Sequence, residues 1–449
     1  MKDLTKGNLS STFLRFAIPA VLAGLLAQAY NLIDSIIIGQ FLGTDGLAAV
    51  GATAGFVSMI EAPFWGFGVG CGIYTAKLFG GKRYLELRNM VLTTLATQAV
   101  FAVLLGILIV IFCGPILTVL QVDSSIRTDA ALYLSIYTGG MVFLVSPSFF
   151  ISNINALGIS AYPLYMSIIS CVLNIVGNLL SVAVFDWGVV GVAISSLVAA
   201  ATVSVAYLVK FLNIFKKMNV HGRFSPGRCF RHVLPYALPS IYQQGIMYFS
   251  SAAVSPLVNG IGAHASAAYN VAQKVYSLNA GIYQHSTKVL ANFTSQCAGT
   301  GAYRRIREGV WVALRQSVLI VLPCLLVCAI FPKAVCGLFF NETATAESIS
   351  YSVIFLRFVL PLVLFNLINN LFHALLKGLK VTKLLMFSST LGAVVRVASS
   401  FVFAPFFGIV GVYAGWALSW VIEAIFAIIV YFSGKWQPHT MRRALETEA

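Results

Sequence analysis

FAIPAVLAGLLAQAYNLIDSIIIG, residues 16–39, places a single carboxylate, Asp34, inside a run otherwise suited to a lipid bilayer. Apolar residues continue for more than a helical turn on both sides of Asp34. A charge in hydrocarbon is costly, and acids found there usually serve a function; the alternative is a carboxylate that only hydrogen-bonds a neighbouring helix. The run therefore predicts a membrane-spanning helix and makes Asp34 the first candidate for a functional residue.

The rest of the chain has the same character. Hydrophobic residues make up 59% of its 449 residues and charged residues 10%, which is more apolar surface than a globular core can hide. Windows of about 20 apolar residues, the length of one span, fall near 14–40, 50–76, 90–112, 130–152, 160–183, 187–209, 233–257, 266–295, 311–331, 350–375, 384–404 and 408–432. These runs are continuous instead of alternating, so they predict an all-α polytopic membrane protein with about twelve transmembrane helices and not a barrel.

The net charge of +15 is distributed unevenly over the loops. Basic residues precede the first span and follow the even-numbered ones, whereas the intervening loops offer only Arg127 and Lys333. This asymmetry predicts that both termini lie in the cytoplasm. Because the basic residues are scattered over short segments instead of forming one face, we expect no nucleic-acid partner.

Two halves of the sequence repeat with an offset of 219 or 220 residues. The matched pairs are Pro19 and Pro239, Gly43 and Gly262, Gly80 and Gly299, Gly158 and Gly378, and Gly188 and Gly408. The repeat predicts an N-terminal six-helix lobe at 1–209, a basic cytoplasmic linker at 210–232, and a C-terminal six-helix lobe with a short tail at 233–449. Parallel repeats of this kind bind substrates between the lobes and rock one lobe against the other. The position equivalent to Asp34 falls near Val254 and Ser255, so the ionisable site is expected in one lobe only.

Polar side chains recur around Asp34 at helical spacing. Tyr30 and Asp34 share a helical face with Asn31 at its flank, and Asn174 and Asn178 lie one turn apart in the fifth span. Asparagine oxygens suit hard cations and can hydrogen-bond a protonated carboxyl group. The alternative is that these pairs only hold helices together.

In the second lobe, polar residues of the tenth span have the spacing i, i+3, i+4 and i+7, which predicts one stripe facing a substrate cavity. The predicted cavity residues are Asn31, Gln243, Gln244, Asn366, Asn369, Asn370, His373 and Arg396.

Other sequence features argue against competing functions. Gly66, Gly68, Gly70 and Gly72 follow no strand, so they predict close helix packing and not a nucleotide fingerprint. No GxxxxGK[ST] motif occurs, and therefore ATP-driven transport is not expected. The eight cysteines form no CxxC pair and the histidines have no metal-ligand spacing, so we expect no disulfide, metal or cofactor. A catalytic triad and paired acids are also missing, and we expect no enzyme.

With these residues in hand, the chain resembles the multidrug and toxic compound extrusion (MATE) transporters over essentially its full length. The matching pieces are Pro19 and Tyr30-Asn-Leu-Ile-Asp34 in the first span, Leu47-Ala-Ala-Val-Gly51, the pair Asn174 and Asn178, and the repeated Gly-Val-Val-Gly-Val. The resemblance implies an exporter of the bacterial inner membrane that exchanges protons or sodium ions for amphipathic, often cationic, organic compounds. We expect a monomer whose partners are a small organic substrate and membrane lipid. A flippase for a lipid-linked saccharide, from the same superfamily, is the alternative.

The resemblance also implies roles for individual residues. The residues implied in cation or proton coupling are Asp34, Tyr30, Asn153, Asn174, Asn178 and Ser196, and Pro19 is the implied hinge of the first helix. Some members instead carry acids in the seventh and tenth helices, where this chain has Met247 and Asn366. The coupling site is therefore expected in the first lobe.

Overall fold

The helices dominate the computed structural model, which describes residues 7–218, 220, 226–340 and 345–447. Within these ranges the chain forms helices and no strand. The α-helices of the first half are α1 (Leu9–Phe41), α2 (Gly43–Gly80), α3 (Tyr84–Ile111), α4 (Cys113–Val119), α5 (Arg127–Gly139), α6 (Met141–Ala156), α7 (Ala161–Asn178) and α8 (Gly188–Lys217). Those of the second half are α9 (Pro226–Ile261), α10 (Ala263–Thr300), α11 (Tyr303–Ile330), α12 (Pro332–Gly337), α13 (Ala346–Ile354), α14 (Val363–Gly378), α15 (Thr382–Phe407), α16 (Ile409–Phe432) and α17 (His439–Thr447).

Each of the twelve predicted spans coincides with one long helical segment. Among the described residues, nine segments are long and apolar enough to cross a membrane, and α5 and α6, bent by 51° at their junction, make a tenth. The remaining two, α9 and α10, are 36 and 38 residues long but more polar. The predicted all-α membrane architecture is confirmed, and the chain is a multi-pass membrane protein.

Two spans change their winding part-way. A π-helical segment, Leu179–Val184, continues α7. In the second half, a π-helical segment, Phe355–Val359, and a 3₁₀ turn, Leu360–Leu362, join α13 to α14. The second junction contains Pro361, which cannot donate a backbone hydrogen bond. Interruptions of this kind in transmembrane helices often adjoin functional residues, and both segments here lie next to predicted site residues.

The alternating glycines of α2 are contact points between helix backbones. A Cβ atom on Gly66 would lie 2.6 Å from the Cα of Ile241 in α9, and one on Gly72 would lie 2.7 Å from the carbonyl oxygen of Ser152 in α6. Gly70 faces α9 in the same way as Gly66, and Gly68 faces α6 in the same way as Gly72. The prediction of close helix packing is confirmed: because glycine has no side chain, α2 approaches α9 closely on one side and α6 on another.

The repeat is visible in local backbone geometry. Gly188 and Gly408, one at the start of the last span of each half, have φ angles of 56° and 55°. Only glycine adopts this region without steric cost, so the same residue is required at the same place in both halves.

Internal contacts group the chain into two units. One unit holds Leu22–Ile241, and the other holds Tyr242–Ala449 with Leu4–Val21. The helices α1 and α9 therefore each contribute to both units. This grouping divides helices by their contacts and does not test the boundaries predicted at 209 and 233, which stay a prediction.

Candidate functional site

Asp34 lies in a hydrogen-bonded cluster made by α1, α7 and α8. The Asn178 side-chain Nδ2 donates to Asp34 Oδ1 and also to Asn174 Oδ1, at 2.9 Å for the second bond. Asn174 Nδ2 in turn donates to Ser196 Oγ at 3.0 Å, and the Ser196 hydroxyl also hydrogen-bonds that of Tyr30. We call these five residues the Asp34 cluster.

Local helix geometry explains why these side chains meet. Asn174 and Asn178 are one turn apart on the face of α7 that packs on α8, and both are at most 1% exposed. Ser196 lies on the buried face of α8. The helix hydrogen bonding changes immediately after Asn178, where the π-helical segment begins. The two amides therefore occupy the last regular turn of α7.

One atom of the Asp34 cluster has no hydrogen bond. Asn178 Oδ1 is buried and lacks a partner among the described residues. A buried acceptor without a partner costs free energy of about 1–3 kcal/mol. An additional proton or cation beside Asp34 would give this oxygen a partner.

A second carboxylate lies near the Asp34 cluster. Glu61 of α2 hydrogen-bonds Tyr137 of α5, and the Tyr137 ring stacks on Tyr133 with ring centroids 5.4 Å apart. Both tyrosines interact electrostatically with Asp34 and with Glu61. Two acids thus share one aromatic and partly buried neighbourhood in this unit.

Two other predicted residues of the first half, Asn153 and Pro19, lie outside the Asp34 cluster. Asn153 is fully buried in α6, where its Oδ1 accepts a hydrogen bond of 2.6 Å from Thr75 and its Nδ2 bonds the Phe149 carbonyl. It has no recorded bond to the Asp34 cluster. Pro19 lies inside α1, where a proline leaves one helix carbonyl without its usual donor. The side chain of Asn31 lies outside the described residues.

The polar stripe predicted on the tenth span divides into two groups. Asn370 Nδ2 donates to Asn366 Oδ1 at 2.6 Å, and that oxygen also accepts from Tyr283 at 2.8 Å. Asn369 and His373 instead bond Glu423 of α16.

The remaining predicted cavity residues belong to α9 and α15. Gln243 Nε2 lies 2.7 Å from His373 Nδ1, and Gln244 is partly buried beside it in the sequence. Arg396 donates to Ser251 and Tyr269 and lies 4.6 Å above the Trp416 ring. Whether any of these residues lines a substrate cavity stays a prediction.

Comparison with known families accounts for the two halves. The MatE family model matches residues 19–180 and again residues 239–402. The chain belongs to the MatE family. The two MatE matches start at Pro19 and Pro239, the prolines that begin the repeat in the sequence, so the internal repeat and the resemblance are both confirmed. Membership of MatE makes the chain a membrane transporter.

Relatives in MatE cover nearly the whole chain at low identity. The "Probable multidrug resistance protein YpnP" of Bacillus subtilis (strain 168) is 23% identical over 97% of each chain. The "Multidrug export protein MepA" of Staphylococcus saprophyticus is 21% identical over 95% of this chain and 94% of its own length. A solved structure described as "Crystal structure of MATE in complex with MaL6" covers 95% of this chain and 96% of that one, with 19% identity and a TM-score of 0.88. At this identity the structural likeness establishes the fold.

Sequence reasoning did not assign sites to Glu61 and Glu423. Each is a single acid in a long apolar run, the same signal that selected Asp34. Their partners, Tyr137 and His373, lie on other helices and far away in sequence. Only the packing of the helices brings these groups together.

Proposed function

We propose that the chain is a secondary active efflux transporter that exchanges protons or sodium ions for amphipathic, often cationic, organic compounds. The observation that carries this proposal is the hydrogen bond from Asn178 of α7 to the Asp34 carboxylate of α1. It places a titratable acid at the junction of two membrane-spanning helices, where a change of charge alters their contact. The names of the relatives, which concern multidrug resistance and multidrug export, support the substrate class.

The coupling step follows from the cost of burying a carboxylate. When Asp34 is ionised, it favours hydration and the donor that Asn178 supplies. When a proton or cation neutralises it, that cost falls and α1 can pack more closely against α7 and α8. A coupling ion that binds one conformation more tightly than the other shifts the population toward the conformation that it binds better. This shift would drive release of the organic substrate.

The oxygen atoms of the Asp34 cluster fit either coupling ion. A proton on Asp34 would donate to Asn178 Oδ1 after the amide turns, which gives this oxygen a partner in exchange for the two hydrogen bonds that Nδ2 donates in the present arrangement. Sodium would need several oxygen ligands, and the cluster offers the Asp34 carboxylate, Asn178 Oδ1 and Ser196 Oγ.

The proposal is tested with the full chain in liposomes. Efflux of ethidium or of a fluoroquinolone is followed under a proton gradient and, separately, under a sodium gradient. The Asp34→Asn variant should lose at least tenfold of the gradient-driven rate, about 1.4 kcal/mol or more in the coupled step. The matched control is Asp123→Asn, which removes an exposed acid that bonds Ser125 in the loop between α4 and α5.

Each outcome has a defined meaning. Transport that follows one gradient and disappears only in Asp34→Asn supports the antiporter and names its ion. Full efflux by Asp34→Asn would refute the coupling role. Failure of the wild type under both gradients would refute exchange of these compounds. The cytoplasmic termini, the bacterial inner membrane and the monomeric state remain predictions of the sequence.

A further inference from the structure

Four helices of the C-terminal unit direct polar side chains toward one buried acid. Glu423 of α16 is 8% exposed and His373 of α14 is 6% exposed, and His373 Nε2 lies 3.1 Å from Glu423 Oε1. Asn369 of α14, Ser388 of α15 and Gln243 of α9 complete the group. We call these five residues the Glu423 cluster. They share no member with the Asp34 cluster.

The hydrogen-bond distances identify the donors to the two carboxyl oxygens of Glu423. Asn369 Nδ2 donates to Glu423 Oε2 at 3.1 Å, and Ser388 Oγ donates to Oε1 at 3.2 Å. His373 Nε2 is within reach of both Oε1 and Ser388 Oγ, at 3.1 and 3.0 Å, so it is the protonated ring nitrogen. The carboxylate then has three donors, as an ionised group in an apolar interior requires.

The opposite edge of the imidazole accepts a hydrogen bond. Gln243 Nε2 lies 2.7 Å from His373 Nδ1, and an amide nitrogen is only a donor. Nδ1 is therefore the acceptor in this arrangement. Among the described residues, no lysine or arginine lies within hydrogen-bond distance of the Glu423 carboxyl group.

Two buried atoms of the cluster have no hydrogen-bond partner. They are Gln243 Oε1 and Asn369 Oδ1, on residues 6% and 1% exposed. A half-turn of the Gln243 amide exchanges its oxygen and nitrogen and places Oε1 against His373 Nδ1. The ring can then hold a second proton, which Nδ1 donates to Gln243 Oε1 while Nε2 continues to donate to Glu423. This state is a net-neutral ion pair in which the hydrogen bond between Gln243 and His373 is kept with its direction reversed, and the turn of the amide needs no new space.

Other charged and titratable groups lie further from the imidazole. Tyr276 of α10 interacts electrostatically with both Glu423 and Arg396 of α15, and Arg396 is held by Ser251, Tyr269 and the Trp416 ring. One turn beyond His373, Lys377 of α14 interacts with Lys288 of α10. Gln243 of α9 is neutral. Of these groups, Glu423 is the one in direct contact with the ring.

We propose that the Glu423 cluster is a second proton-binding site, in which His373 takes up a proton at Nδ1 as the Gln243 amide turns. Its ligand is a proton and not sodium, because the carboxylate already accepts three donors that a metal cation would have to displace. The inference does not depend on coupling at Asp34, since the cluster has its own base and its own counter-charge.

The test is ¹⁵N NMR of the full chain, labelled at histidine, in lipid nanodiscs between pH 5 and 9. The His373 signal is identified by its loss in His373→Gln, and His439 of α17 serves as an internal reference outside the spans. At high pH we expect a neutral ring protonated at Nε2. On acidification we expect an imidazolium whose Nδ1 signal depends on Gln243.

Two variants separate the site from general effects of mutation. Glu423→Gln removes the charge that stabilises the imidazolium, so its titration midpoint should fall by at least one pH unit, a tenfold loss of proton affinity. Gln243→Met removes the acceptor at Nδ1, keeps the volume, and should lower the midpoint by a smaller amount. Thr390→Val is the control, because it breaks a neighbouring hydrogen bond, to Tyr242, between α9 and α15, two of the four helices that supply the Glu423 cluster.

Three results would overturn the proposal: a His373 ring protonated only at Nδ1, a ring that stays neutral down to pH 5, or a midpoint that neither Glu423→Gln nor Gln243→Met changes. The measurement can be repeated in Asp34→Asn. If His373 titrates there while transport is absent, the second site stands independently of the proposed exchange. Transport without titration of His373 would refute the second site alone.

Discussion

Gly70 of α2 permits a direct test of the helix packing that holds the first unit together. Replacement by alanine would place a Cβ atom 2.5 Å from the Cα of Ala237 and 2.6 Å from the carbonyl oxygen of Tyr236. Both atoms belong to the backbone of α9, so no side chain can rotate away. An ordinary carbon contact is about 3.5–4 Å, and the two helices would therefore have to separate by about 1 Å.

Gly70→Ala should destabilise the protein, and Gly55 of the same helix provides the matched control. Overpacking of this kind costs about 1–3 kcal/mol, and we expect Gly70→Ala to lower the free energy of unfolding by that amount. Gly55 lies in the same helix, but a Cβ atom there would meet nothing within 4 Å among the described residues. Gly55→Ala should instead raise the free energy of unfolding by about 0.5–1 kcal/mol, because alanine is the better helix former.

The cysteines of the chain provide the assay. Cys71, Cys113, Cys297, Cys328 and Cys336 are buried free thiols. A thiol-reactive fluorescent dye therefore reports unfolding of the purified protein in detergent during a temperature ramp. Gly70→Ala should melt below the wild type and Gly55→Ala should not. Equal melting temperatures for Gly70→Ala and the wild type would refute the close approach of α2 and α9.

Two further predictions concern single side chains. Asn178→Ala removes the donor that favours ionised Asp34. Since a hydrogen bond to a charged group is worth about 1.5–3 kcal/mol, the pH of half-maximal proton-driven transport should rise by about 1–2 units. A fall of this pH, or no change, in the liposome assay would contradict the assigned bond. Arg396→Lys keeps the charge but loses the planar group that bonds Ser251 and Tyr269 and stacks on Trp416. It should therefore lower the free energy of unfolding by roughly 1–3 kcal/mol, about as much as Arg396→Met does. A Lys variant that melts with the wild type would show that charge alone is required at residue 396.

The spans could be predicted from the sequence because one physical requirement determines them. A helix must present about 20 apolar residues to cross hydrocarbon, and this signal is strong in ten of the twelve windows and weaker in 233–257 and 266–295, which lie in α9 and α10. The short helices α4 and α12 and the π-helical segments carry no such signal. They depend on local hydrogen-bond choices that many sequences can make, so packing decides them.

The two buried clusters differ in how many of their residues could be predicted from the sequence. Asp34, Asn174 and Asn178 could be selected because a resemblance linked spans that are distant in the chain, and the structure does bring these three residues together. Asn153, selected in the same way, bonds Thr75 instead. The Glu423 cluster draws on four helices, and neither periodicity nor spacing connects Gln243 with His373 or Glu423. Long-range pairing of this kind becomes visible only once the helices are packed.

The π-helical segment Leu179–Val184 has a consequence for comparing this chain with distant relatives. A π-turn is equivalent to an α-turn that has gained one residue, while the helix before it keeps its course. Loss of that residue in another lineage would leave Asn174 and Asn178 in register but rotate Ser181, which bonds Ser195, by about 100°. An alignment without a gap would then match the wrong residues from this point to the end of the span. Alignments of such sequences should therefore permit a one-residue gap directly after Asn178.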